Sequence, residues 1–293
     1  MSRRLALIIA TALAALTALT GTAPAATGRP VADVAHRSAS AYTGRPVVNV
    51  AHRGASAYAP ENTIAAFELA DDQRADMFEL DVQETKDHRL VLMHDTTLTR
   101  TTDAEEVFPG LSPWNVGDLT LSQIRELDAG SWLSGQHAGE PVPTLGEALR
   151  TMSGSDMGLL LEVKAPDRYP GIEARIATEL RRNPRWLAPG RLVVQSFDWN
   201  SMRKFHRLLP GVPIGLLGTP ATAELPSLAT FAGQINPPYT TLTSAYVRRV
   251  HGLGMEVLTY TVDDPDDMRR MISYGVDGII TNKPDVLRDL TDA

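Results

Sequence analysis

From Val47 onward the sequence alternates short apolar, β-branched runs with amphipathic segments, and this alternation constrains the fold more than any other feature. Val47–His52, Met77–Val82, Gly158–Val163, Leu192–Gln195, Pro213–Leu217, Gln234–Tyr239, Glu256–Thr261 and Gly278–Ile280 read as strands. Helical patterns separate them at Thr63–Arg74, Leu145–Met152, Ile172–Arg182, Ser201–Leu209, Ser244–Gly252, Asp266–Tyr274 and Asp285–Leu290, with only a weak signal around Ala221–Phe231. Apolar strands alternating with helices belong to a parallel sheet. Eight such units within 47–293 match the roughly 250 residues typical of a (β/α)₈ barrel. A doubly wound open sheet would carry a Gly-rich fingerprint after its first strand, and none stands there. The predicted fold is therefore α/β, a (β/α)₈ TIM barrel over 47–293. Asp95–Pro143 is too long for a plain βα loop. It predicts a small insertion after the second strand (about 95–143), forming an ordered lobe around Trp114 and Trp132.

The residues before the barrel obey other rules. Arg3 and Arg4, the apolar run Leu5–Leu19 and Ala23-Pro24-Ala25 supply the three parts of an export signal. Residues 1–25 are expected to be a cleaved signal peptide, and the mature protein to be secreted with no stable membrane insertion. The apolar run falls short of the roughly 20 residues of a membrane span. Thr27–Tyr42 (TGRPVADVAHRSASAY) recurs as Thr43–Tyr58 (TGRPVVNVAHRGASAY), identical at 13 of 16 positions. Two copies are too few for a solenoid, so 26–46 is expected to be a flexible extension left by tandem duplication. The copies differ at Ser38 against Gly54, and glycine alone turns freely beside a bound phosphate. The second copy, which leads straight into a helix, is the one expected to work.

Four strand ends or returns carry polar groups that a core should not hold. The first strand ends in His52-Arg53-Gly54, the second carries Glu79 and Asp81, and the third carries Glu162 and Lys164. Spacing by two puts each pair on one strand face, while Leu80, Val82, Leu161 and Val163 take the other face and pack on helices. The charged face must then point into the barrel mouth, where catalytic groups of this fold sit. Three converging carboxylates need a cation beyond Lys164, and hard oxygen ligands without cysteine favour Mg²⁺ or Ca²⁺. Lys86-Asp87-His88 reads as the tip of a hairpin, and pairing about Asp87-His88 sets His94 level with Asp81. Two histidines flanking a metal suit phosphoryl chemistry, one accepting a proton from the nucleophile and one giving a proton to the leaving group. The fork of Arg53 matches two phosphate oxygens. Asn62 reads as the N-cap of the first helix, and His88, His137, His206 and His251 read as surface residues. A formal charge of −7 excludes a nucleic-acid partner, and the absence of cysteine excludes disulfides, thiolate metal sites and a thiol nucleophile.

HRGASAYAPENTIAAFELA, FELDVQETKD and LVLMHDTTLTRTTD resemble the signature of the glycerophosphodiester phosphodiesterase family, and PTLGEAL, LEVK, QSFDW, YTVDD and GVDGIITNKPDVL continue the likeness to Leu287. The resemblance implies a TIM barrel with an inserted lobe and a divalent cation, Ca²⁺ or Mg²⁺. It implies His52 and His94 as the acid–base pair and Glu79, Asp81 and Glu162 as metal ligands. Arg53 and Lys164 would bind phosphate, with Glu61 in support. The implied activity is metal-dependent hydrolysis of a small glycerophosphodiester to glycerol 3-phosphate and an alcohol. Tyr260 stands where the family commonly has tryptophan, and His88 where it has a turn glycine. A lysophospholipase D or sphingomyelinase D-like activity is the rival enzyme, favoured if Phe197, Trp199 and Phe231 line an apolar groove. An inactive barrel that only binds is the rival of another class.

Overall fold

The computed structural model describes residues 47–292, so the expected signal peptide and the first repeat lie outside the described residues. The apolar runs form β1 (Val48–Ala51), β2 (Met77–Glu84), β3 (Leu90–Leu92), β4 (Gly158–Val163), β5 (Leu192–Ser196), β6 (Ile214–Leu217), β7 (Gln234–Asn236), β8 (Glu256–Thr259) and β9 (Gly278–Thr281). All but β3 are parallel, in the order β1-β9-β8-β7-β6-β5-β4-β2, and β1 also pairs with β2 through Val50 and Met77. That last pairing closes the sheet into an eight-stranded barrel, as the count of βα units predicts.

Side-chain alternation divides the barrel into two apolar zones. Phe78, Leu80, Val82, Leu159, Leu161 and Val163 face outward and pack with Phe67, Trp186 and Phe205 from the surrounding helical layer. Val50, Met77, Leu160, Val193, Leu258 and Ile280 form a separate interior cluster that plugs the barrel. Two residues further along their chains come His52, Glu79, Glu162, Gln195, Tyr260 and Asn282, a polar layer directly above an apolar one.

The segment after β3 builds its own small core from Val91, Met93, Leu98, Val116, Leu119, Ile124 and Val142. The hairpin feeding it departs from the expected register. β2 and β3 pair Val82 with Leu92 and Glu84 with Leu90, and the Met93 amide donates to the Asp81 carbonyl at 3.0 Å. Met93, not His94, therefore lies level with Asp81. The cause is the turn: Thr85 pairs with Arg89, so three residues cross it, with His88 at φ 59 in the left-handed region. A three-residue hairpin loop shifts the pairing by one against the two-residue tip inferred from sequence. His88 is tied by its ring to the buried Glu84 carboxylate, which Arg175 also engages.

Candidate active site

Glu79 and Asp81 on β2 and Glu162 on β4 each present a carboxylate oxygen within 4.8 Å of the others, and all three are buried. Parallel pairing makes this possible, because Asp81 is in register with Glu162. Lys164 reaches Glu162 at 2.7 Å and Asp81 at 3.3 Å, while the Arg53 Nε lies 3.3 Å from Asp81. The Arg53 backbone amide donates to Glu79 at 2.8 Å. One carboxylate oxygen of Glu79 is buried with no hydrogen-bond partner, and the Asp81 Oδ1 has only the Lys164 ammonium at 3.3 Å. Buried oxygens left without a donor are costly unless a cation takes them. The donor set is all carboxylate oxygen, which suits a hard divalent metal. The residues therefore fit a metal held by Glu79, Asp81 and Glu162.

Charge repulsion shows in the ionisation of the cluster. Burial and the neighbouring Asp81 and Glu162 push Glu79 well above the carboxylate range, and burial with Asp81 raises Glu162 to about 7. Burial also opposes the Asp81 charge, but Lys164 and Arg53 outweigh it and hold that carboxylate well below the usual range.

His52 follows β1 and His94 follows β3. His52 is half-buried, and desolvation together with Arg53 lowers it to about 4, which favours a neutral ring. Its Nδ1 lies 2.7 Å from the Asn282 Oδ1, which also accepts from the Ser56 hydroxyl at 2.8 Å. Asp263 fixes that amide by accepting from both its Nδ2 (2.6 Å) and the Asn282 backbone amide (2.8 Å). An amide held this way presents oxygen to the ring, so Nδ1 carries the proton and Nε2 keeps its lone pair. His94 differs, because its Nδ1 pairs with the Asp95 carboxylate at 2.6 Å. Burial lowers His94 as well, with Lys164 and Arg53 adding to the effect, while Asp81 and Asp95 pull the other way. The buried Gln83 amide anchors the strap that carries His94, donating to the carbonyls of Met93 and Asp95.

Asn62, Asp263 and Asn282 were not legible as site residues. Thr63, not Asn62, caps the helix Ile64–Asp72, accepting from the Ala66 amide. Asn62 sits at φ 60 and uses both ends of its amide on Asp81, donating to Oδ2 at 2.8 Å and accepting from the backbone amide at 3.0 Å. Its dipeptide with Thr63 looks like an ordinary cap, which masked this role. Asp263 and Asn282 lie in the family-like runs YTVDD and GVDGIITNKPDVL, but nothing local marks them as partners of His52. Glu61 receives Arg53 at 2.8 Å and two bonds from Arg100, both at 2.8 Å.

Gly54 adopts the positive φ that its tight turn was expected to need, and the packing beneath it adds a second requirement. At φ 82, a side chain there would meet the backbone carbon of Ala66 at 2.5 Å and its oxygen at 2.6 Å. The first helix packs directly on this turn, and the Ala55 amide donates to the Ala66 carbonyl at 2.9 Å.

A cavity of about 440 Å³ opens beside the cluster, lined by His94, Glu162, Lys164, Pro166, Ser196 and Phe197 among others. Phe197 is 57% exposed and stands edge-on to Tyr260. Trp199 instead donates to the Leu217 carbonyl, and Phe231 packs under Arg203. The three aromatics do not form one groove.

The sequence model of the glycerophosphoryl diester phosphodiesterase family matches residues 52–286. A glycerophosphodiester phosphodiesterase of Bacillus subtilis is 38% identical over 244 residues, spanning 78% of this chain and 80% of the relative. One from Caldanaerobacter subterraneus is 38% identical over 234 residues, spanning 79% and 92%. Among solved structures, an Oleispira antarctica phosphodiesterase in complex with the product sn-glycerol-3-phosphate superposes with a TM-score of 0.76 at 28% identity, covering 88% of this chain and 100% of that one.

Proposed function

The chain belongs to the glycerophosphoryl diester phosphodiesterase family, and from that premise we propose an exported, metal-dependent enzyme that splits glycerophosphodiesters into glycerol 3-phosphate and an alcohol by paired histidine catalysis. The observation that carries this reading is the contrast between its two rings. His52 is neutral with an amide oxygen on Nδ1, whereas His94 has a carboxylate on Nδ1. A carboxylate stabilises an imidazolium and an amide does not. His52 Nε2 accepts a proton from the attacking nucleophile, His94 delivers one to the departing alcohol oxygen, and water supplies the oxygen and proton that complete glycerol 3-phosphate.

Glu79, Asp81 and Glu162 hold the cation, and the all-oxygen donor set supports Mg²⁺ or Ca²⁺. Bound there, a divalent metal would act as a Lewis acid that withdraws charge from phosphorus. Arg53 and Lys164 each keep one face toward the carboxylates, and together they orient the phosphate. Phe197 is the single one of the three aromatics in the cavity wall, which supports a small polar diester over a lysolipid. Export rests on Arg3-Arg4, Leu5–Leu19 and Ala23-Pro24-Ala25, which read as a signal peptide. Among the described residues no helix is long and apolar enough to cross a membrane.

The test is release of glycerol 3-phosphate from glycerophosphocholine, with and without EDTA, and with lysophosphatidylcholine in parallel. His52→Ala and His94→Ala should each cost roughly 10²–10⁴ in kcat. Wild-type rates in both variants would remove the acid–base assignment, and preference for the lysolipid would restore the lipid reading.

A further inference from the structure

The residues after β3 leave the barrel, and the inserted lobe they enter has a core of its own. Leu98 is buried in that core, and its amide donates to the Trp114 carbonyl. The Thr102 hydroxyl donates back to the Leu98 carbonyl at 2.6 Å, and the Thr101 hydroxyl contacts the Met93 sulfur. Arg100 lies between these anchored residues, so its backbone is held by the lobe while its side chain returns to the barrel mouth.

That guanidinium spans two carboxylates of different origin. It donates through Nη1 and Nη2 to the two oxygens of Glu61, both at 2.8 Å. It donates through Nε to Asp95 at 2.7 Å and through Nη2 to the other Asp95 oxygen at 3.2 Å. Glu61 is the partner of Arg53, and Asp95 is the partner of His94. Four of the five N–H groups of Arg100 are thus spent in a planar double fork that a lysine cannot reproduce. Glu61 is only 11% exposed, while the Arg100 side chain is 42% exposed, so the clamp is half screened and its value lies in its geometry rather than in its Coulomb energy.

We propose that Arg100 is a positioning residue, which clamps Glu61 to Asp95 and thereby sets both the phosphate-binding guanidinium of Arg53 and the ring of His94. The role rests on the assignment of His94 as the proton donor to the leaving alcohol. The inserted lobe then acts on the reaction through one side chain. Asp95 is held down to about 2, chiefly by its bonds from Arg100, so the partner of His94 stays ionised throughout the working pH range.

The role separates from a purely structural one by its dependence on the leaving group. Choline and glycerol are poor leaving groups that need a proton, whereas p-nitrophenolate departs without one. In Arg100→Ala, kcat on glycerophosphocholine should fall about tenfold or more, and kcat on bis(p-nitrophenyl) phosphate by less than about threefold. KM should rise for both substrates through the loosened Arg53. Added guanidinium should restore part of the loss in Arg100→Ala and none in Arg100→Lys, where an ammonium already fills the space but reaches one carboxylate. Equal losses on both substrates without guanidinium rescue would overturn the role and leave Arg100 a support of the lobe. Unchanged kinetics in Arg100→Ala would make the clamp idle and overturn it as well. A wild-type enzyme inert toward both substrates would instead overturn the proposed function, and this role with it.

Discussion

Gly54→Ser introduces into the working repeat the residue that the first repeat carries at Ser38, and the structure sets the size of the effect. The added Cβ would stand 2.5 Å from the Ala66 carbonyl carbon, 2.6 Å from its oxygen and 2.7 Å from its Cβ, and two of the three are backbone atoms that no rotamer change can move. Overpacking of this kind costs about 1–3 kcal/mol, and a non-glycine residue at φ 82 adds about 1–2 kcal/mol. The expected loss is therefore about 2–5 kcal/mol, a large share of the roughly 5–15 kcal/mol that holds a typical domain. Urea denaturation followed by circular dichroism would read it as a lower midpoint at unchanged slope. Activity should fall further than stability alone requires, because the Asn62 amide donates to the Arg53 carbonyl across this turn. Ser38→Gly, in the first repeat, should change neither quantity. A Gly54→Ser enzyme within about 0.5 kcal/mol of wild type and fully active would refute the packing argument and reopen the choice between repeats.

Two further substitutions probe the residues that sequence reasoning passed over. Asn62→Ala removes both amide bonds to the buried Asp81 and should cost about 2 kcal/mol or more, with weaker metal affinity by titration; unaltered stability and affinity would reduce Asn62 to a turn residue. Asn282→Ala frees the His52 ring and should lower kcat roughly ten- to hundredfold, the range seen when the partner orienting a functional histidine is lost. KM should barely move, and wild-type kcat would show that the ring needs no partner.

What the sequence made legible and what it hid follow from the range of the interactions involved. Strand identity and face are local, so Glu79, Asp81 and Glu162 could be aimed into one mouth from spacing by two. Parallel register then brings Asp81 beside Glu162. His94 does not lie level with Asp81 as two-residue pairing implies: the loop around His88 crosses in three residues, and His94 lines the cavity with Glu162 and Lys164 from just beyond the paired segment. Asn282 and Asp263 act on a ring 230 positions away from the first of them, a distance at which no periodicity speaks. Arg100 was hidden differently, because an arginine in a polar insertion looks like solvated surface until the fold brings Glu61 and Asp95 together.

The charges of the site make a last prediction about pH. Glu79, Asp81 and Glu162 carry three negative charges against two positive ones on Arg53 and Lys164, so the metal-free site relieves itself by keeping a proton on the carboxylates. Glu162 is raised from 4.5 to about 7, and Glu79 is raised too. A carboxylate whose folded pKa lies above its unfolded value contributes stability that is full below about 4.5 and is lost as pH rises toward about 7. Below about 6.5 the lowered His52 opposes this loss, because its ring must be neutral in the folded state, so the EDTA-treated protein should lose melting temperature chiefly as pH rises from about 6.5 to 8, opposite to the usual behaviour of paired carboxylates. Metal should expel the proton, since ligands bind deprotonated. Calorimetry near pH 6.5 should then give heats that depend on the ionisation enthalpy of the buffer, and affinity should fall as pH is lowered. At one hundred times its dissociation constant, the metal should restore about 2.7 kcal/mol. A metal-free melting temperature that rises across this window, together with buffer-independent heats, would mean that the three carboxylates are already compensated without a cation, and the metal assignment would fall with that finding.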